Sequence, residues 1–409
     1  MPQASARAEN EEGAFVMSRV FLIVLDSCGV GEMPDAADFG DEGSFTLRSA
    51  ATSAEFSMPN AEKLGLFHID GVYGNVCGRG LGKAKRKTFD GVVGRLAEVS
   101  KGKDTTTGHW EIAGLPLAKP FPTFPKGFPK KLINELAKQT GRGILCNRPY
   151  SGTDVIRDYG REHIATGDLI VYTSADSVLQ IAAHDSVVST EQLYEYCEIA
   201  RKLCTGAYGV GRIIARPFTG EWPYTRTSLR HDFSLEPTGA TLLDVLKDAG
   251  LAVRSVGKIV DIFAGRGITD FTRTACNEEG IDVTLEKMKE DFEGLCFTNL
   301  VDFDMKYGHR NDIEGYARAL TYFDTKLPEL MAGLREDDIL MITADHGCDP
   351  ATASTDHSRE YIPLVAYGPK LRGNINVGTR VGFSDIGKTI AARFGVANKL
   401  AGDVITELL

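Results

Sequence analysis

No apolar stretch of this chain approaches the roughly 20 residues that a bilayer-spanning helix needs, and residues 1–16 are polar and acidic, without a signal peptide's apolar centre. Those absences predict a soluble, cytoplasmic protein with no membrane partner. Cysteine pairing is also absent: the eight cysteines are scattered, none forms a C-x-x-C pair, and several lie inside apolar runs. Reduced, mostly buried thiols are therefore expected rather than a disulfide framework. Positive charge is in deficit as well. A formal net charge of −10 argues against a broad nucleic-acid footprint, and no nucleic-acid partner is expected. It leaves a small anionic substrate open, because such a ligand responds to the local field of its cleft. Internal repeats and low-complexity tracts are missing too.

At 409 residues the chain exceeds what one hydrophobic core usually supports, so about two domains are expected. Helices are predicted over 44–55, 60–66, 130–139, 191–204, 241–249, 283–292, 312–334 and 385–394. Strands are predicted over 19–25, 91–99, 169–173, 210–216, 252–256, 295–301, 339–343 and 362–367. This alternation favours a mostly parallel sheet with helices on both faces. Two Pro-rich clusters interrupt it, one from Pro116 to Pro129 and one around Pro217 and Pro223. The simplest layout is an α/β core split by an inserted cap: an extension over 1–16, core over 17–116, cap over 117–236, and core again over 237–409. The extension is expected to be disordered.

The most informative segments are the polar ends of three apolar runs. Ile339-Leu340-Met341-Ile342-Thr343-Ala344 stops at Asp345-His346-Gly347, and His357 follows. Arg19-Val20-Phe21-Leu22-Ile23-Val24-Leu25 stops at Asp26. Leu295-Cys296-Phe297-Thr298-Asn299-Leu300-Val301 stops at Asp302-Phe303-Asp304 and reaches His309. Strands of an open α/β sheet deliver such residues to the carboxyl edge, where ligands bind. Asp26, Asp304, Asp345, His309, His346 and His357 together suit two metal sites of the Mn²⁺, Zn²⁺ or Fe²⁺ kind better than Ca²⁺, which prefers oxygen alone. Paired cations commonly serve phosphoryl or sulfuryl chemistry. A nucleophile is on offer in Lys103-Asp104-Thr105-Thr106-Thr107-Gly108, at the start of a helix whose N–H groups can support a phosphoryl group.

Further segments add specificity: Leu25-Asp26-Ser27-Cys28-Gly29-Val30-Gly31-Glu32, then Lys103-Asp104-Thr105-Thr106-Thr107-Gly108-His109-Trp110-Glu111, then Tyr172-Thr173-Ser174-Ala175-Asp176-Ser177-Val178-Leu179-Gln180. With them, from about Arg19 to its end, the chain resembles the prokaryotic-type phosphopentomutases of the alkaline phosphatase superfamily. The resemblance implies an alkaline-phosphatase-like α/β core with an inserted α/β cap domain and two Mn²⁺ per chain. It implies Asp26, Asp345 and His346 as ligands of one ion, and Asp304, His309 and His357 as ligands of the other. It further implies Thr105 as the phosphorylated nucleophile, and Asp176, Arg212, Ile214 and Lys258 as contacts to a sugar phosphate. Interconversion of ribose 1-phosphate and ribose 5-phosphate, and of the 2-deoxyribose pair, is the activity implied. A sugar bisphosphate, glucose 1,6-bisphosphate or ribose 1,5-bisphosphate, is the implied activator.

Alternatives within the superfamily are a phosphatase or a cofactor-independent phosphoglycerate mutase, and outside catalysis a metal-binding regulatory protein. The last expects a missing ligand or nucleophile, whereas all seven positions are filled. One departure stands beside the ligands: Cys348 follows Asp-His-Gly where the family commonly has Asn. His109, Trp110 and Glu111 are given no catalytic role.

Overall fold

Why Asp26 meets residues some three hundred positions away is answered by strand order. In a computed structural model that describes residues 18–72, 74–76, 87–174 and 176–409, the strand Arg19–Leu25 lies between Gly294–Leu300 and Ile339–Thr343, parallel to both. Val20 pairs with Leu295 on one side and with Ile339 on the other. All three strands are buried along their whole length, which is why their sequences read as continuous apolar runs rather than as alternation. The extension expected over 1–16 lies outside the described residues.

The complete sheet runs Asp270–Thr272, Ala252–Val256, Gly294–Leu300, Arg19–Leu25, Ile339–Thr343, Ile362–Tyr367, Val92–Ala97 and Ile375–Val381. Its pairings are parallel except for those of Ile362–Tyr367, which runs antiparallel to both neighbours. The α/β architecture with a mostly parallel sheet is thus as expected. At the edge opposite the strand-end aspartates, the Arg19 guanidinium is fully buried against Asp338, with Nη2 2.5 Å from Oδ2. Removing one partner of such a pair strands a charge and costs about 3–5 kcal/mol.

A second sheet is formed by Ile144–Pro149, Leu169–Thr173, Val178–His184, Arg212–Thr219 and Thr225–Arg226, with His231–Ser234 also pairing on Arg212–Thr219. Lys130–Thr140 and Thr190–Leu203 contribute to the apolar cluster on one face, and Gly152–Thr166 to that on the other.

Several elements differ from their sequence-based reading. The helix expected over 44–55 is confined to Thr46–Ala50. That expected over 283–292 begins at Asn277, because Asn277 and Asp302 exchange hydrogen bonds of 3.0 and 2.9 Å between side chain and backbone N–H. Val178–His184 is a strand buried on both faces, so its sequence carries no period of two. Ile375–Val381 is a sheet-edge strand containing Asn376 and Gly378, residues that read as a turn. Among the described residues, no helix is long and apolar enough to cross a membrane.

Candidate metal centre and nucleophile

The carboxyl edge of the central strands gathers two adjoining clusters. In the first, His346 Nε2 lies 3.5 Å from Asp26 Oδ1 and 3.3 Å from Asp345 Oδ2. In the second, His309 Nε2 is 3.2 Å from Asp304 Oδ2 and His357 Nε2 is 3.4 Å from Asp304 Oδ1. The His346 and His357 rings, one from each cluster, have centroids 4.1 Å apart. Within each trio the candidate ligand atoms lie within 4.8 Å of one another. The six side chains thus fall into two trios, Asp26–Asp345–His346 and Asp304–His309–His357.

Asp26 emerges directly from its strand, and Asp345 follows Thr343 by two residues. Asp304 arrives differently. The residue at the end of its strand, Asp302, is spent on the N–H of Asn277 and on Lys306 Nζ, 2.9 Å away. Asp304 instead rides on a π-helical turn, Phe303–Tyr307, a local widening frequent at functional sites.

Burial, with the charges of Asp345 and Asp304, pushes the Asp26 carboxyl well above the usual carboxylate range. Burial opposes ionisation of Asp304 too, yet His357 and His309 hold it well below that range. At Asp345 burial is likewise outweighed, by His346 and His109, and the carboxyl is lowered. Three buried carboxylates in one place need compensating positive charge. Four buried atoms of these clusters, Asp26 Oδ1, Asp304 Oδ1, Asp345 Oδ2 and His357 Nε2, have no hydrogen-bond partner. Such a set of orphaned carboxylate and imidazole donors fits borderline divalent cations.

His309 is raised to about 11 by its hydrogen bond to Asp304, reinforced by the Cys348 thiol. Below that value the cation-free ring carries a proton that a metal must displace. Mn²⁺ affinity is accordingly expected to increase with pH across the neutral range. Calorimetric titration near pH 7, in buffers of different ionisation enthalpy, is expected to show net proton release on binding. An affinity that is flat between about pH 6 and pH 9 would contradict this linkage.

Thr105 opens the helix Thr105–Ile112, and its Oγ1 lies 3.1 Å from His346 Nε2. Its neighbour Thr107 is turned away, with its hydroxyl 2.5 Å from Asp104 Oδ2. Asp104 caps the helix by accepting from the N–H groups of Thr106 and Thr107 at 3.1 and 3.2 Å. Those two N–H groups are thus occupied by the cap. The helix docks closely on the first cluster. A Cβ at Gly108 would come within 2.0 Å of the Asp345 carbonyl oxygen, so only glycine allows this approach.

Cys348 is buried, and burial pushes its thiol up to about 11. Its Sγ lies 3.9 Å from His309 Nδ1 and donates to Asp356 O at 3.6 Å. The sulfur is therefore on the Nδ1 side of that ring, whereas Nε2 faces Asp304.

The remaining candidates lie on and near the second sheet. Arg212 opens its strand and pairs with Asp232 at 3.4 Å. Ile214 is buried two residues further along the strand. Asp176 is exposed in the turn leading into Val178–His184, whose first residue is in register with Arg212. Lys258 precedes the short helix Ile259–Ile262, and its charge favours ionisation of both Asp26 and Asp232. It therefore links the core cluster electrostatically to the Arg212–Asp232 pair. A feature outside the sequence-based candidates surrounds Tyr172: its hydroxyl is buried without a partner, in the field of Arg216, Arg226 and Arg230. Basic residues spread over several strands left no motif to reveal that grouping.

The family model "Metalloenzyme superfamily" matches residues 18–398. Over 392 residues the chain is 60% identical to a phosphopentomutase of Lachnoclostridium phytofermentans, covering 96% of this chain and 99% of that relative. Over 382 residues it is 57% identical to a phosphopentomutase of Thermotoga maritima, covering 92% of this chain and 96% of that relative. A solved phosphoglycerate mutase of Leishmania mexicana is similar at 11% identity with a TM-score of 0.46, over 96% of this chain and 98% of that one.

Proposed function

Because the chain belongs to the phosphopentomutases of the metalloenzyme superfamily and is an intramolecular phosphotransferase, we propose that it interconverts ribose 1-phosphate and ribose 5-phosphate, and the 2-deoxyribose pair, through a phosphothreonine at Thr105. The observation carrying this reading is the placement of Thr105 Oγ1 at 3.1 Å from His346 Nε2, beside two clusters of orphaned carboxylate and imidazole atoms. Asp26, Asp345 and His346 hold one Mn²⁺, and Asp304, His309 and His357 hold a second. Bound there, the two cations supply charge neutralisation for a phosphoryl group in transfer.

Phosphorylated Thr105 gives its group to the free hydroxyl of the monophosphate. A P–O bond to the sugar forms, the P–Oγ1 bond breaks, and the proton lost by the sugar hydroxyl is balanced by one taken up at the departing Oγ1. The 1,5-bisphosphate then reorients, and Thr105 Oγ1 attacks the other phosphate: a P–Oγ1 bond forms, the bond from that phosphorus to the sugar oxygen breaks, and the proton lost by Thr105 is balanced by one taken up at the freed sugar oxygen, restoring the phosphoenzyme. Arg212 and Lys258 bind the phosphate that is not being transferred. Asp176 accepts from sugar hydroxyls, and Ile214 supplies an apolar wall. The second sheet and its helices serve as a cap that excludes water, which would otherwise hydrolyse phosphothreonine and turn the mutase into a phosphatase. Priming requires a sugar bisphosphate, glucose 1,6-bisphosphate or ribose 1,5-bisphosphate.

Phosphorus NMR of the protein with Mn²⁺, ribose 5-phosphate and a catalytic amount of sugar bisphosphate tests the proposal. Ribose 1-phosphate should grow without inorganic phosphate. Release of phosphate alone would identify a phosphatase and sink the mutase reading.

A further inference from the structure

Beneath the first cluster lies a buried polar bridge whose members have no evident reason to be polar except the groups they touch. His109 is fully buried on the helix that begins at Thr105, and Asn299 is 1% exposed on the strand beside Arg19–Leu25. A buried polar side chain costs stability unless paired, so its partners are informative.

Each hydrogen-bond direction follows from what the acceptors are. His109 Nδ1 lies 2.9 Å from Thr105 O, and a carbonyl only accepts, so Nδ1 carries the proton. The same nitrogen is 3.1 Å from Asp345 Oδ2, which nevertheless has no hydrogen bond, the N–H being directed at Thr105. On the far side of the ring, Nε2 lies 3.4 Å from Asn299 Nδ2. Asn299 Nδ2 in turn donates to Asp26 Oδ2 at 2.9 Å. Asp345 Oδ1 is held separately by the N–H of Ser27 at 3.0 Å.

One oxygen of each carboxylate is thereby anchored by protein and the other is left over. The remaining oxygens, Asp26 Oδ1 and Asp345 Oδ2, are the two that face His346 Nε2. Asn299 determines which oxygen of Asp26 is free, and His109 ties that choice to the backbone of Thr105. Fixed hydrogen bonds of this kind orient ligands and raise metal affinity.

We infer that His109 and Asn299 are positioning residues that jointly set the geometry of the Asp26–Asp345–His346 cluster and hold the Thr105 helix in register with it. The inference rests on the reading of that cluster as a divalent-cation site. His109 acts through Thr105 O and through Asn299, which holds Asp26.

The test is calorimetric titration of the full chain with Mn²⁺ alone, combined with kcat, KM and thermal unfolding. His109→Phe keeps a ring and removes both hydrogen bonds, and Asn299→Leu keeps approximate shape and removes the donor to Asp26. Each is expected to weaken one of two Mn²⁺ equivalents by about 10–100-fold, leave the other unchanged, and lower kcat with little change in KM for ribose 5-phosphate. His109→Asn, whose amide nitrogen can take the place of Nδ1, should recover part of the lost affinity and turnover. Folded variants that bind both equivalents with the original affinity and keep kcat, losing only thermal stability, would overturn the positioning roles and leave the metal reading intact. If His109→Phe fails to fold, Asn299→Leu and His109→Asn decide between these outcomes. An unaltered protein that binds no Mn²⁺ would overturn the metal reading itself, and the inference with it.

Discussion

Thr105→Ala is expected to abolish phosphoenzyme formation and to lower mutase turnover by at least about 10⁴-fold, while two equivalents of Mn²⁺ still bind. The alternative explanation for such a loss, collapse of the helix, is countered by the local structure. Asp104 caps the helix through the Thr106 and Thr107 N–H groups, and Thr105 itself is only partly buried. Removing its hydroxyl leaves that cap in place. What disappears is the oxygen 3.1 Å from His346 Nε2. Neither neighbour can replace it readily, because Thr107 Oγ1 is bound to Asp104 and Thr106 lies one position further round the helix. Intact-protein mass measurement after incubation with sugar bisphosphate should show one added phosphoryl group on the unaltered chain and none on the variant. A Thr105→Ala enzyme that keeps its activity would remove Thr105 from the proposed role.

Asp304→Asn should have the next largest effect: loss of one of two Mn²⁺ equivalents and a fall in kcat of about 10³-fold or more. Asp304 is the common member of its cluster, with one oxygen 3.2 Å from His309 Nε2 and the other 3.4 Å from His357 Nε2. An amide puts an NH₂ group in place of one of those oxygens and removes the charge that the two histidines stabilise. His309 should then titrate lower, since its hydrogen bond to Asp304 is the main cause of its elevation. The Asp26–Asp345–His346 trio shares no residue with this cluster, so its ion should stay. Metal content by elemental analysis and Mn²⁺ titration separate the two sites. Two equivalents at unaltered affinity would contradict the assignment of Asp304.

Strand-end aspartates were legible in the sequence because a strand buried on both faces leaves an uninterrupted apolar run, and the first polar residue after it marks the sheet edge. Asp26 and Asp345 follow this logic. Asp304 follows it only partly, since the residue at that strand's end, Asp302, caps a helix with Asn277 instead. Asn299 was illegible for the converse reason: inside an apolar run it looks like one more strand residue, and only its neighbour across the sheet reveals Asp26 as its partner. His109 was visible beside the nucleophile, yet its contacts span the helix and two strands and leave no spacing to read. The arginines around Tyr172 were missed on the same ground, each being an ordinary surface residue until the second sheet folds.

By itself the sequence determined the α/β alternation and the identity of the six carboxylate and imidazole candidates, because apolar runs and their polar ends are local properties of the chain. Through the motifs around Thr105 and Asp176 it also determined the family. Only the tertiary structure decided that Arg19–Leu25 sits between Gly294–Leu300 and Ile339–Thr343, which of three adjacent threonines faces His346, and which oxygen of each carboxylate is left unpaired. Those are matters of strand order, helix phase and hydrogen-bond direction. They depend on contacts between residues hundreds of positions apart, which no local pattern encodes.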